Sequence, residues 1–299
     1  MPELPEVEHV VRALRRVIVG RTIIASEIKL PKLIGPTSRS AFTRKIKHST
    51  ITGVSRRGKF ILIECQKPFQ RPARQKPDRK GGPHSRKLKH DRKLILAVHL
   101  RMTGKFLYLD PDAEVPKHSH AIFYLDNDRR LVFRDQRQFG IMRLVPAAAS
   151  AEMKGIAELA PEPLSDEFSI DYLRRVLKRS RRTLKTLLLD QTKVLGLGNI
   201  YAAEALFRAG ISPFAVAASL SRERAARLHS AIQDVLGFAV DHIRGSIKLE
   251  EGFSYGAAFE NFWQVYDREG EPCVKCGANI RRVTHGGRST YWCPKCQRR

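Results

Sequence analysis

The sequence predicts an α+β protein of several domains: an antiparallel β-sandwich flanked by an N-terminal helix, then a helical segment, then a small cysteine-rich hairpin. Three observations carry this. Apolar residues recur at helical steps near the N-terminus and again after Asp166, they alternate in short runs between, and four cysteines fall as two close pairs near the C-terminus. A chain of 299 residues exceeds what one domain usually holds and leaves room for a sizeable core.

Val7, Val10, Val11, Leu14, Val17 and Ile18 follow one another at three- and four-residue steps, and Gly20 ends the run. Pro5 suits the first turn of this helix, where a missing N–H has no partner to lose, and Glu6 and Glu8 favour the positive end of its dipole. From Arg21 to about Val145 the texture changes to short runs such as Lys59 to Ile63, Leu94 to Leu109 and Ala121 to Leu125, with turn signals such as Asp126-Asn127-Asp128. Between Gln66 and Lys93 the strands are interrupted by six Lys and five Arg against Asp78 and Asp91, a local charge of +9, which reads as a disordered insertion. Pro146 to Asp166, with Pro161 and Pro163, reads as an interdomain connection. Helical periodicity then returns over Tyr172 to Leu177, Leu184 to Leu189, Ile200 to Phe207 and Ala225 to Ile243, separated by Gly196-Leu197-Gly198 and Gly210-Ile211-Ser212-Pro213. The expected domains are 1–147, 148–245 and 246–299, the last with its cysteine finger from about residue 263.

Lys and Arg number 55 and Asp and Glu 30, so the formal charge is +25. Such an excess calls for a polyanionic partner. No run of about 18 apolar residues is present to span a bilayer. The N-terminus lacks the basic and apolar regions of a secretory signal, so a cytoplasmic, reducing location is expected and disulfides are not. Cys65, behind an apolar strand, reads as an inert core residue.

The strongest motif that needs no family knowledge is Cys273-x2-Cys276-x16-Cys293-x2-Cys296. Each Cys-x-x-Cys turn aims two thiolates at one tetrahedral ion, and four soft ligands with no open position imply one structural zinc; a redox dithiol or unrelated thiols are the competing reading, disfavoured by two pairs at ribbon spacing. Arg281, Arg282, Arg288 and Lys295 stand in or beside the intervening loop. A basic hairpin held by zinc can reach phosphates, although such charges also simply face water. Pro2 follows a removable methionine, which would leave a secondary amine beside the Glu3 carboxylate. With an intrinsic pKa near 8, an α-amino group is partly unprotonated and nucleophilic at neutral pH, suited to attack on a sugar carbon. On the residues alone, the reading that Pro2 and Glu3 merely open a helix is the favoured one.

Pro2-Glu3-Leu4-Pro5-Glu6-Val7-Glu8 resembles the opening of the formamidopyrimidine-DNA glycosylase and endonuclease VIII family. Further blocks agree in order: Arg56-Arg57-Gly58-Lys59-Phe60, His99-Leu100-Arg101-Met102-Thr103-Gly104, Asp135-Gln136-Arg137-Gln138-Phe139-Gly140, and Leu195-Gly196-Leu197-Gly198-Asn199-Ile200-Tyr201 with Glu204 and Phe207. The cysteine ribbon closes the chain with Gly287-Arg288 in the expected place, and the likeness covers essentially the whole length except residues 66–93. It implies a β-sandwich domain, a helix-two-turn-helix domain and a zinc-ribbon hairpin.

The resemblance also implies a bifunctional DNA glycosylase and abasic-site lyase of base excision repair, acting as a monomer on damaged double-stranded DNA and excising oxidised purines such as formamidopyrimidines and 8-oxoguanine. Enzymes of this kind flip the damaged nucleotide out of the stack. Met102, Arg137 and Phe139 match the residues that fill the void, although periodicity alone would place Met102 and Phe139 in the core. Pro2 would form a Schiff base at C1′, Glu3 would move protons, and Glu6 and Glu204 would position groups around them. Lys59 and Arg288 match the lysine and arginine at the damaged nucleotide, leading through β- and δ-elimination. His99 and Asn199 match DNA-binding positions, Asn199 with helix-start N–H groups as a phosphate site. Without the flanking blocks, Lys59 and Asn199 read as a solvated lysine and a helix cap.

Three positions depart from the family pattern. Gln138 replaces the more usual second arginine of the phenylalanine loop, which leaves the opposite-base preference open. The stretch between Gly245 and Val265 does not match the usual 8-oxoguanine-capping loop, and Ala160 stands where glycine is common. An endonuclease VIII-like enzyme for oxidised pyrimidines is the nearest alternative, disfavoured by the Pro-Glu-Leu-Pro-Glu opening and the Gly-Glu-Pro-Cys approach to the ribbon. A noncatalytic DNA-binding protein of the same fold is the other, disfavoured by intact Pro2, Glu3 and Lys59.

Overall fold

A computed structural model describes residues 2–68, 92–242 and 263–298. The first element is α1 (Leu4–Ile18). The strands β1 (Thr22–Ile28), β2 (Ser49–Arg57), β3 (Phe60–Gln66), β4 (Lys93–His99), β5 (Gly104–Leu109), β6 (Ser119–Leu125), β7 (Arg130–Asp135) and β8 (Ile141–Pro146) form one antiparallel sheet in the order β5-β7-β6-β1-β2-β3-β4-β8. Its two ends close over one core, which holds Phe106 of β5 and Met142 of β8 together with Val7, Val10, Val11, Leu14 and Ile18 of α1. The helical spacing read from the sequence is therefore the buried stripe of α1.

Two short helices interrupt the expected run of strands, α2 (Pro31–Ile34) and α3 (Arg39–Ile46). They are too short for periodicity to reveal, but α3 has a local cause: the Ser38 hydroxyl accepts the Ala41 N–H at 3.3 Å, and Phe42 and Ile46, one turn apart, enter the core. The basic stretch expected to be a disordered insertion lies outside the described residues apart from its flanks. Those flanks are joined, since β3 ends at Gln66, β4 begins at Lys93, and the Lys67 N–H donates to the Arg92 carbonyl at 3.0 Å. The departing loop at 246–262 also lies outside the described residues.

The helical segment contains α4 (Ile170–Lys178), α5 (Leu184–Leu188), α6 (Asn199–Arg208) and α7 (Arg222–His242). They share a second core through Leu173, Leu177, Leu187, Leu188, Tyr201, Leu228 and Ile232, and Leu4 of α1 joins that core rather than the first. One helix thus roots its first turn in one domain and its remainder in the other, which fixes the N-terminus at their junction. A hairpin of β9 (Arg281–His285) and β10 (Arg288–Trp292) packs against Ala203 and Phe207 of α6 through Ile280, Tyr291 and Cys293. Among the described residues no helix is long and apolar enough to cross a membrane.

Candidate active site

Glu3 is the hub of the junction. Its carboxylate accepts the backbone N–H groups of Gly198 at 2.6 Å, Ile200 at 3.0 Å and Tyr201 at 3.3 Å, so the first turn of α6 is closed by a side chain 195 residues away, near the N-terminus. Gly198 has to be glycine, because a Cβ there would overlap the Glu3 carboxylate. Burial holds the Glu3 carboxyl above the usual carboxylate range, against the pull of Lys59 and the three N–H donors. Pro2, beside it, is buried in the same seam.

Glu6 accepts the Glu3 N–H at 2.8 Å and the Tyr201 hydroxyl at 2.7 Å. Burial, helped by the neighbouring charge of Glu3, pushes its carboxyl up to about 7. Lys59, only 5% exposed, donates from Nζ to the Leu197 carbonyl at 2.6 Å. Its removal from water, with Arg288 adding repulsion, brings the ammonium down to about 8 although Glu3 and Glu6 oppose the change. Glu3, Glu6 and Lys59, each with its proton affinity shifted by burial, thereby cluster where the N-terminal turn meets the start of α6.

The turn that delivers Lys59 is held from the interdomain connection. Glu162 accepts Arg56 Nη1 at 2.7 Å, Arg57 Nη1 at 3.3 Å and the Gly58 N–H at 2.6 Å. Gly58 has φ +55 and its missing Cβ leaves room for Leu195. Ala160 needs no glycine, since it is not among the residues with positive φ; its carbonyl accepts Arg57 Nη2 at 2.8 Å.

The remaining positions fall in two groups. Met102 and Phe139 are 39% and 51% exposed, so they stand out from the core that periodicity assigns to such residues, and the Arg137 guanidinium lies 5.0 Å from the Phe139 ring centre. Buried Asp135 joins their loops: its carboxylate accepts the Gly140 N–H at 2.7 Å and the Thr103 hydroxyl, and that hydroxyl accepts the Arg137 N–H at 3.0 Å. Gln138 sits between them in the left-handed region at φ +57. His99 accepts the Arg101 N–H on Nδ1 at 3.0 Å, and burial, with Arg101 and Lys59 nearby, takes its pKa down to about 3. It is a neutral imidazole whose Nε2 carries the proton.

On the other side, Asn199 Nδ2 donates to the Ser289 carbonyl at 3.0 Å. Lys185, 1% exposed, donates to the same carbonyl and, at 2.6 Å, to the Thr290 hydroxyl. Burial, with the charge of Arg288, brings Lys185 down to about 8. Sequence reasoning gave no role to Lys185, Glu162, Asp135 and Tyr201, although Asp135 and Tyr201 stand inside the family-like blocks. For Lys185 a signal was present, one lysine inside the apolar run Leu184 to Leu188. Glu204 is turned to the chain before the ribbon and accepts the N–H groups of Gln264, Val265 and Tyr266 at 3.1, 3.0 and 2.8 Å.

The four ribbon cysteines place their sulfur atoms within 4.8 Å of one another. Cys276 and Cys293 are 3.5 Å apart and Cys273 and Cys296 3.9 Å. A tetrahedral zinc with bonds of about 2.3 Å needs sulfur separations of about 3.8 Å, so the set fits one ion. The N–H groups of Lys275 and Cys296 point at the sulfurs of Cys273 and Cys293, each at 3.4 Å, as thiolates require. Cys65 lies apart, buried, its thiol pushed up to about 12 by burial.

Comparison with known proteins agrees with this geometry. Residues 1–142 match the formamidopyrimidine-DNA glycosylase N-terminal domain, residues 159–251 the formamidopyrimidine-DNA glycosylase H2TH domain, and residues 270–299 a zinc finger found in FPG and IleRS. The chain is 41% identical over 300 residues to a formamidopyrimidine-DNA glycosylase of Pelotomaculum thermopropionicum, covering 100% of this chain and 99% of that one. It is 41% identical over 299 residues to that of Carboxydothermus hydrogenoformans, with both chains covered in full. Lactococcus lactis Fpg bound to abasic-site DNA superposes with a TM-score of 0.82 at 32% identity, over 99% of this chain and 100% of that one. A mutant of that protein with Fapy-dG DNA gives 0.85 at 32%, over the whole of both chains. With the catalytic-domain strands, the two-turn helices and the cysteine ribbon all matched in order, the chain belongs to the formamidopyrimidine-DNA glycosylase family, DNA glycosylases that act on damaged DNA.

Proposed function

We propose that the chain excises oxidised purines from duplex DNA through a Schiff base on Pro2 and then cleaves the strand as an abasic-site lyase. The observation that carries the reading is the Glu3 carboxylate, directly behind Pro2, clasped by three N–H groups of α6 and kept above the usual carboxylate range by burial. A carboxyl that retains its proton can donate to a departing base.

After loss of Met1, the Pro2 nitrogen attacks C1′ of the flipped nucleotide and gives up its proton, the C1′–N bond to the base breaks, and Glu3 supplies the proton taken by the base. The C1′–O4′ bond then opens, O4′ leaves as a hydroxyl once protonated, and the iminium forms at C1′. The iminium acidifies the C2′ proton, whose removal expels the 3′ phosphate; a second elimination, by loss of the C4′ proton, expels the 5′ phosphate. Lys59, at about 8, is suited to move protons at the sugar, and Arg288 to neutralise phosphate charge. Met102, Arg137 and Phe139, exposed and tied by Asp135, fill the gap left in the stack. The neutral His99 offers an Nε2–H donor to the backbone. Glu6 holds the Glu3 backbone, Asn199 fixes the Ser289 carbonyl next to Arg288, and Glu204 anchors the approach to the ribbon. The protein acts as a cytoplasmic monomer on damaged double-stranded DNA, with residues 1–147, 148–245 and 246–299 as its domains.

Borohydride trapping on abasic DNA tests the reading. Protein with a free Pro2 should become covalently linked, and protein blocked at its N-terminus should neither trap nor cleave. Trapping of the blocked protein at the native rate would remove Pro2 from the reaction. Glu3→Gln should lose base excision while retaining much of the cleavage of preformed abasic sites, where no base has to leave; equal loss of both would refute its part as proton donor to the base. Excision from duplexes carrying 8-oxoguanine, a formamidopyrimidine or an oxidised pyrimidine opposite each base decides the lesion.

A further inference from the structure

Between Ile170 and Arg182 the chain carries six Lys or Arg and a single acid, Asp171. The inner side of α4 is accounted for by Leu173 and Leu177 in the helical core. Its outer side is not. Among the described residues, Asp171 pairs with Arg174 at 3.3 Å and Asp190 with Arg182 at 2.8 Å, while Arg175, Arg179 and Lys193 have no carboxylate partner. Arg175 and Arg179 stand one turn apart on the helix axis, the spacing at which like charges destabilise a helix. Together with Arg182 they line a groove of about 420 Å³ whose floor includes Val176 and Leu187 and which Lys193 borders.

The groove adjoins the ribbon. The loop after α4 runs to Thr183, whose hydroxyl is 2.8 Å from His285 Nε2, and β10 of that hairpin opens with Arg288, the arginine that acts electrostatically on both Lys59 and Lys185. The cationic surface of the reaction centre therefore continues past the hairpin onto α4.

We propose that this groove is a second phosphate rail, which takes the backbone of duplex DNA flanking the lesion through Arg175, Arg179 and Lys193. The proposal rests on the reading of the chain as a protein of damaged duplex DNA. Phosphate is the chemistry the groove fits: it offers unpaired cations over an apolar floor. Four residues of helix advance about 6 Å, a spacing from which two arginine side chains reach neighbouring phosphates of one strand. Contacts of this kind carry no sequence information, as suits flanking DNA.

The test compares full-length protein with the Arg175→Gln, Arg179→Gln, Lys193→Gln triple variant on two duplexes carrying the same central stable abasic analogue, one of about 12 base pairs and one of about 30. Each phosphate contact adds about −0.9 to the slope of log affinity against log salt, so the wild-type slope on the long duplex should exceed that on the short one by about 2 to 3. The triple variant should show the same slope on both and bind the long duplex at least about tenfold more weakly at low salt. The charge-keeping variant Arg175→Lys, Arg179→Lys should retain the wild-type slope difference. Single-turnover cleavage of a saturating short duplex with a natural abasic site should stay at the wild-type rate in all three proteins, which separates the rail from the chemistry at Pro2. A triple variant whose long-duplex slope equals that of the wild type would overturn the rail, whatever the cleavage result.

Discussion

The Glu162 carboxylate accepts the Gly58 N–H at 2.6 Å, and by that bond the segment joining the two large domains holds the turn on which Lys59 is delivered. The same carboxylate binds Arg56, whose Nε also reaches Glu8 of α1 at 3.1 Å. Linker, turn and N-terminal helix are thus tied through one partly buried cluster, so the separation of Lys59 from Pro2 depends on how the domains meet.

Glu162→Ala should leave the zinc content and overall fold intact and slow abasic-strand cleavage by about ten- to a hundredfold, the scale expected when a reacting group shifts by about 1 Å. Single-turnover rates at saturating DNA check this. An unchanged rate would mean that Leu195 and the Lys59 to Leu197 bond suffice to place the turn.

Asp135 gives a second prediction. Its replacement by alanine strands the Gly140 N–H and the Thr103 hydroxyl, which costs about 2 kcal/mol and frees the loops of Met102 and Arg137 from each other. Excision of a base from duplex DNA should fall far more than cleavage of abasic single strands, where no stacked gap has to be filled. Equal losses on the two substrates would show that Asp135 serves the fold alone.

The pH dependence of stability follows from Glu6. Its folded-state pKa, raised to about 7 chiefly by burial, exceeds the ordinary value of 4.5, so the native state binds the proton more tightly than the unfolded chain. The resulting stabilisation is complete below the unfolded value and is lost as pH rises through about 7. Glu6→Gln, neutral at every pH, should flatten the decline between these limits. Urea midpoints across that range measure it; an identical decline in the variant would assign the effect to other groups, Glu3 first.

Zinc removal should act on DNA binding before it acts on the β-domain. Cys293→Ser takes away one of four thiolates and with it the support of the hairpin that carries Arg288 and receives Lys185. The variant should lose its metal and bind lesion DNA at least about tenfold more weakly, while the sheet built on α1 keeps its core. Metal analysis, binding curves and near-ultraviolet dichroism report the three quantities, and stoichiometric zinc in the variant would contradict the four-thiolate site.

The sequence by itself determined the features whose cause is local. The stripe of α1 is a 3.6-residue period, the ribbon is two Cys-x-x-Cys turns, and the N-terminal Pro2-Glu3 pair is adjacent in the chain. The exposed placement of Met102 and Phe139 came from family likeness and ran against periodicity, which sees a large apolar side chain only as core. What the tertiary structure alone decided are pairings across long stretches of chain: Glu3 with Gly198, 195 residues apart, Gly58 with Glu162, 104 apart, and Lys185 with Ser289, 104 apart. Nothing near Glu3, Glu162 or Lys185 in the chain names those partners. A buried charge is satisfied by whichever backbone groups the packing of two cores brings to it, and periodicity records which face is buried but not what lies against it.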